Sequence, residues 1–188
     1  NWWNGVRDEN DIPLTMMRDG TPNGYSYITF NGTQYIIDWK VSGKPEDYRM
    51  NIHTPRGVKE EESSSTPITV NFFNGSEQSE LSFRVLGETE WVKMDQVSKK
   101  DPFYSLIYER FNDFNSLKIK ESWENDPQLK DKSYPLIKRM YEANNSTHLW
   151  QSKIGTSLTE GVHIIEVMVK DRYDREFKDY HSIRIVKD

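Results

Sequence analysis

The side chains best suited to chemistry are four histidines, His53, His148, His163 and His181, set among thirty Asp and Glu residues. Imidazoles and carboxylates can hold a metal ion when three or four converge at short range, and can move protons when they lie within hydrogen-bond reach. The spacing argues against a local centre. There is no His-x-His or His-x₃-His, and Asp171 follows His163 only after eight residues. Cysteine is absent, which excludes disulfides and thiolate metal sites. No catalytic residue and no metal ligand is therefore assigned. Each histidine is expected to be a hydrogen-bonded residue of a strand or its edge.

Aromatic residues are the second resource. Trp39, Trp91, Trp123 and Trp150 could form a stacking platform for sugars, with Trp91 and Trp123 as the candidate ligand-stacking pair. Core packing is the competing explanation and is favoured for Trp39 and Trp150. Trp2 and Trp3, with Tyr25, form a candidate surface for docking on another domain, since clustered exposed rings mark contacts. Equally, the tryptophans could fold back over this chain's own strands. Asp19-Gly20 and Asn23-Gly24 could line a cleft, but turn chemistry accounts for both pairs: glycine supplies positive φ and Asp or Asn bonds its own backbone. The glycosylation triplets that begin at Asn31, Asn74 and Asn145 fall in expected turns where Asn is common anyway.

The elements that must position these residues are strands. Tyr25–Phe30 and Gln34–Val41 flank Asn31-Gly32, a hairpin signal, and Tyr48–His53 can add a third strand. Residues 1–55 thus read as a three-stranded meander. Residues 56–67, with Glu60-Glu61-Glu62 followed by Ser63-Ser64-Ser65, read as a flexible linker. Residues 68–188 alternate repeatedly, most clearly at Ile165, Val167 and Val169, and predict an antiparallel β-sandwich of immunoglobulin type. Phe103–Phe111 reads as strand-like or helical. Residues 112–145 are too long for a hairpin loop and read as a partly helical insertion, with a short helix over Pro135–Ala143. The expected fold class is mainly all-β.

With 188 residues, the chain suits one large domain or two small ones. A net charge of −5 without a basic stripe disfavours nucleic acid as partner. No apolar run approaches the roughly 18 residues that a membrane span requires. The start at Asn1-Trp2-Trp3 suggests a piece of a longer protein.

Several short motifs, in order, resemble the C-terminal domain of bacterial calcineurin-like metallophosphoesterases. They are Trp2-Trp3-x-Gly5, Ile12-Pro13, Met17-x-Asp19-Gly20-x-Pro22-x-Gly24-Tyr25, Val70-Asn71-x-Phe73-Asn74-Gly75, Asp101-Pro102-Phe103-Tyr104, Thr147-His148-Leu149-Trp150, Gly161-Val162-His163-x-Ile165-Glu166-Val167 and Asp171-Arg172-Tyr173. The resemblance implies a parent that hydrolyses phosphoesters at a dinuclear metal centre. That centre belongs to an N-terminal catalytic domain with Gly-Asp-x-x-Asp and Gly-Asn-His motifs. This sequence has neither a Gly-Asp pair nor Gly-Asn-His. The resemblance therefore implies a non-catalytic accessory domain without cofactor, whose partner is its own catalytic domain. It also implies an exported, periplasmic or cell-surface protein. The alternative is an immunoglobulin-like module for carbohydrate or another cell-surface ligand.

Overall fold

Period-two alternation dominates the chain and gives a mainly β structure. A computed structural model describes residues 2–7, 13–125 and 140–187. The side chains of Trp2, Trp3 and Trp123, and the expected helix over residues 135–139, lie outside the described residues; 140–143 are not helical.

In chain order, β1 (Trp2–Arg7) pairs with β2 (Pro13–Met16), and β3 (Gly24–Asn31) pairs with β4 (Gln34–Val41). Next come β5 (Met50–His53), β6 (Val58–Lys59), β7 (Pro67–Phe72), β8 (Glu80–Val85), β9 (Val92–Lys93) and β10 (Asp95–Lys100). Helix α1 (Pro102–Asn125) follows, then β11 (Asn145–Lys153), β12 (Gly161–Lys170) and β13 (Glu176–Val186). One sheet runs β10-β11-β7-β5 and the other β6-β13-β12-β8-β9. Every pairing is antiparallel except β6 with β13.

Their inner faces enclose the main core. Met50 and Ile52, Ile68, Val70 and Phe72, and Trp150 come from the first sheet. Leu81, Phe83 and Val85, Ile165, Val167 and Val169, and Ile183 and Ile185 come from the second. Alternation along each strand leaves Asn51, His53, Thr69 and Asn71 on the outer face of the first sheet.

Two expectations need correction. The third strand of the meander forms, but β5 pairs with β7 and so belongs to the sandwich; β3 and β4 stand as a two-stranded hairpin. Met50 and Ile52 carry enough apolar surface to be drawn into the main core. The expected flexible linker is also built into the fold. Val58–Lys59 pairs with the end of β13, and Glu60–Ser65 forms a 3₁₀ helix. Ser63 is fully buried, its Oγ donating to Glu60 O at 2.7 Å and accepting from Leu158 N at 2.9 Å.

Helix α1 replaces the ambiguous segment after Asp101. Asp101 Oδ1 accepts from Tyr104 N at 2.8 Å, the bond of an N-cap, and Pro102 occupies the first helical position. Tyr104, Ile107, Tyr108 and Phe111 recur at helical spacing and form a second cluster with Met16, Met140 and Ala143.

Candidate functional site

Four of the short motifs, far apart in sequence, meet on the outer face of the β10-β11-β7-β5 sheet. Asn71 is the hub. Its Nδ2 donates to Asp101 Oδ2 at 2.8 Å and to the Asp19 carbonyl at 3.2 Å, and its Oδ1 contacts His148 Nδ1 at 2.7 Å. His148 Nε2 stands 3.3 Å from both Asp19 Oδ2 and Thr21 Oγ1. At the other end, His53 Nε2 lies 3.5 Å from Asp101 Oδ2, the limit of an ion pair rather than a good hydrogen bond.

Each residue is delivered by local geometry. Asn71 faces outward because Val70 and Phe72 face the core. His148 would share the inward face of Trp150 in a regular strand. Between the pairs Val97↔Leu149 and Lys99↔Ser146 the register shifts, so Thr147 and His148 oppose Ser98 alone. This bulge turns His148 outward, a common use of bulges. Asp19 sits in a tight turn: its Oδ1 accepts from Thr21 N at 3.0 Å, and Gly20 takes φ +84°. The expected turn chemistry is thus present, and Asp19 Oδ2 additionally reaches His148.

The electrostatics follow. Burial raises the Asp19 carboxyl pKa, but the His148 and Thr21 hydrogen bonds and the His148 charge outweigh it and hold it near about 2. Burial likewise opposes ionisation of Asp101, and His53, Tyr104 N and Asn71 together bring its pKa below the ordinary value. The arrangement is a largely buried polar chain, hydrogen-bonded throughout except at His53 Nε2, which has no hydrogen-bond partner among the described residues. Among the described residues, no group of three or more His, Asp or Glu is placed to hold a metal ion. Asp179 and His181 are two residues apart, but among the described residues no third ligand joins them. The described residues therefore do not fit the ligand set of a dinuclear phosphoesterase centre.

A second polar cluster fastens the β3–β4 hairpin to the sandwich. Arg175 donates to both oxygens of Asp38, at 3.0 and 2.9 Å, and to Asp171 Oδ2 at 2.7 Å. Arg49 adds a bond to Asp38 Oδ1 at 2.9 Å. Burial works against the Asp38 charge, and the two arginines still lower its pKa. Tyr173 Oη accepts from Ile37 N at 3.0 Å, and Asn74 Nδ2 donates to Ile37 O at 2.7 Å.

Strand β3 and the turn end of β4 are bare. Tyr25, Tyr27, Ile28, Phe30 and Tyr35 are all exposed, Phe30 by 72%. Phe30 and Tyr35 are cross-strand neighbours with ring centroids 6.3 Å apart. Tyr25 and Tyr27 lie on the opposite face from Ile28 and Phe30, so both faces carry uncovered apolar groups. Of the other docking candidates, Trp2 and Trp3 belong to β1, paired with Met16 and Thr15. Of the stacking pair, Trp91 is half-buried, with the Arg84 guanidinium 4.6 Å from its ring centroid and Lys178 Nζ at 5.9 Å.

The remaining histidines are apart from Asn71. His163 Nε2 contacts Thr159 O at 2.8 Å, and His181 Nε2 contacts Thr54 Oγ1 at 3.0 Å. Sequence spacing does not reveal the Asn71 network, because a bulge and a capping carboxylate create it. Among the described residues, no helix is long and apolar enough to cross a membrane.

A family model described as "C terminal of Calcineurin-like phosphoesterase" matches residues 1–177. The chain belongs to that family. No curated protein matches it.

Proposed function

We propose that this chain is a non-catalytic accessory domain of a calcineurin-like phosphoesterase, and that the β3–β4 hairpin is the surface it presents to the catalytic domain. The parent would supply the two metal ions and their ligands. This chain would supply a rigid platform beside the active site and shape access to it.

One observation carries this reading. Five large apolar or aromatic side chains are exposed on a hairpin that ion pairs hold in place. Two strands alone are marginal in water, and apolar groups on both faces of such a ribbon call for a cover. The outer edge of β3 also has no strand partner among the described residues. It offers unpaired backbone groups for strand addition. Trp2 and Trp3 on β1 would extend the contact.

The test expresses the 188-residue chain and its phosphoesterase domain as separate polypeptides and measures association by calorimetry. Association is expected, with the triple substitution Tyr25→Ser, Phe30→Ser, Tyr35→Ser weakening it about a hundredfold. Unchanged affinity of the triple variant refutes the docking surface. The chain alone, given Mn²⁺ or Zn²⁺ and an aryl phosphate, is expected to show no turnover above buffer; metal-dependent turnover refutes the accessory role.

A further inference from the structure

Farther along the β5–β13 seam from the Arg49–Arg175 cluster, β5, β13 and the start of α1 border an open cleft of about 510 Å³. That size is within the range of small-molecule sites. Its charged and titratable lining is wholly basic: His53, Arg56, His181 and Arg184. In a chain of net charge −5, a cleft with no carboxylate on its lining departs from the surface as a whole. Two acids stand behind the imidazoles but not on the lining: Asp101 lies 3.5 Å from His53 Nε2, and the charge of Asp179 acts on His181. Both are also held by other donors, Asp101 accepting from Tyr104 N and Asn71 Nδ2 and Asp179 from Tyr180 N.

Arg56 and Arg184 are exposed, and neither has an ion pair among the described residues. An exposed arginine alone is only a solvated charge. Here two of them share a concavity with two imidazoles and an uncovered apolar wall. That wall is Phe103, Leu106 and Val162, with Val162 68% exposed. Burial first, and then the charge of neighbouring His53, hold the His181 pKa below its ordinary value. An anion between the two rings would remove the second penalty.

We propose that this cleft binds a small organic oxyanion: a phosphate-monoester or carboxylate head on an apolar body. The guanidinium groups of Arg56 and Arg184 would grip the head, since planar forks match both oxyanions. Phe103, Leu106 and Val162 would cover the body. The site is separate from the hairpin and stands whether or not the hairpin docks on a catalytic domain.

The test follows the imidazole resonances of the intact chain by NMR during titration with phenyl phosphate, benzoate, inorganic phosphate and benzyl alcohol. Saturable shifts of His53 and His181, with His163 unmoved, are expected for phenyl phosphate, benzoate or both. The responding probe identifies the head group. Arg56→Ala with Arg184→Ala should weaken that probe by about tenfold or more, and the Lys double variant should recover part of the loss. Phe103→Ser should weaken the aromatic probe about three- to tenfold while leaving inorganic phosphate unchanged. Unchanged circular dichroism certifies each fold. No saturable shift with phenyl phosphate or benzoate up to about 10 mM, where even weak sites fill, overturns the proposal. So does benzyl alcohol shifting the rings equally, an arginine double variant that binds normally, or Phe103→Ser weakening both probes alike.

Discussion

A Cβ built on Gly20 would lie 2.1 Å from Asp101 Cγ and 2.5 Å from its Cβ. The turn at residues 17–21 is thus pressed directly against the carboxylate that caps helix α1. Asp101 is fully buried. It is tied to Asn71, to Tyr104 N and to His53, so it cannot swing aside without abandoning partners. One contact joins the N-terminal turn, the helix and the outer face of the sheet.

Gly20→Ala should accordingly be among the most damaging single-methyl changes in the chain. It places a β-carbon in overlap with a buried side chain and holds an L-residue at φ +84°. A loss of about 2–4 kcal/mol is expected. Urea denaturation reads it as a lowered midpoint with unchanged slope. A variant as stable as the parent chain would mean that the turn and Asp101 are not in contact.

Asn71 can be tested by two replacements that differ in charge. Asn71→Ala strips partners from Asp101 and His148 and should cost about 2–4 kcal/mol. Asn71→Asp keeps the shape but sets a second carboxylate where an amide donated to Asp101 Oδ2 at 2.8 Å. Two carboxylates at that distance cannot both ionise. The deficit of Asn71→Asp relative to the parent should therefore shrink as pH falls from about 8 to 5, while that of Asn71→Ala stays nearly constant. Parallel urea curves at the two pH values decide; equal deficits for Asn71→Asp at both would remove the Asn71–Asp101 contact.

The acid limb of stability has a defined sign. The Asp19 carboxyl drops from 3.8 to about 2 on folding. A depressed folded pKa means that the unfolded chain takes up the proton first as pH falls. The stabilisation is then complete well above 3.8 and is lost on the way down to about 2. Asp38 and Asp101 act in the same direction. Asp19→Asn, which keeps an acceptor for Thr21 N, should be less stable than the parent at pH 6, with the gap closing as acid is added. A gap that widens in acid would reverse the assignment.

How much of this was legible beforehand depends on what kind of signal each residue leaves. The strands of the sandwich were readable because Leu81, Phe83 and Val85, or Ile165, Val167 and Val169, alternate without interruption. Asn31-Gly32 marked its hairpin, and Gly32 has φ +60°. Helix α1 was ambiguous because its first turns are aromatic, a composition shared with strands. The deciding signal was Asp101-Pro102, an N-cap followed by a proline at the first helical position. Sequence adjacency points β5 to the hairpin, since neighbouring strands usually pair, yet Met50 and Ile52 are drawn into the sandwich core. The Asn71 network left no local trace: Asp19, Asn71, Asp101 and His148 are at least 30 residues apart, and a one-residue bulge aims the histidine.

The aromatic hairpin is tethered through one guanidinium. Asp38 and Asp171 keep only 8% and 5% of their side-chain surfaces exposed, and Arg175 bridges them. Arg175→Met would leave two nearby carboxylates facing each other with Arg49 as the remaining cation on Asp38. Breaking a buried pair from one side costs about 3–5 kcal/mol, and the half-buried position of Arg175 places this case toward the lower end. Arg175→Lys should restore little, because an ammonium cannot reach both oxygens of Asp38 and one of Asp171 in the fork geometry seen here. The damage should be local. Hydrogen exchange is expected to accelerate at Ile37 N, whose acceptor is Tyr173 Oη beside the lost guanidinium, before it accelerates in β8 or β12. If the hairpin is the docking surface, the same substitution should weaken association with the phosphoesterase domain without touching any exposed ring, by loosening what holds the rings in place. Protection at Ile37 that matches the parent chain would show that the ion cluster does not anchor the hairpin.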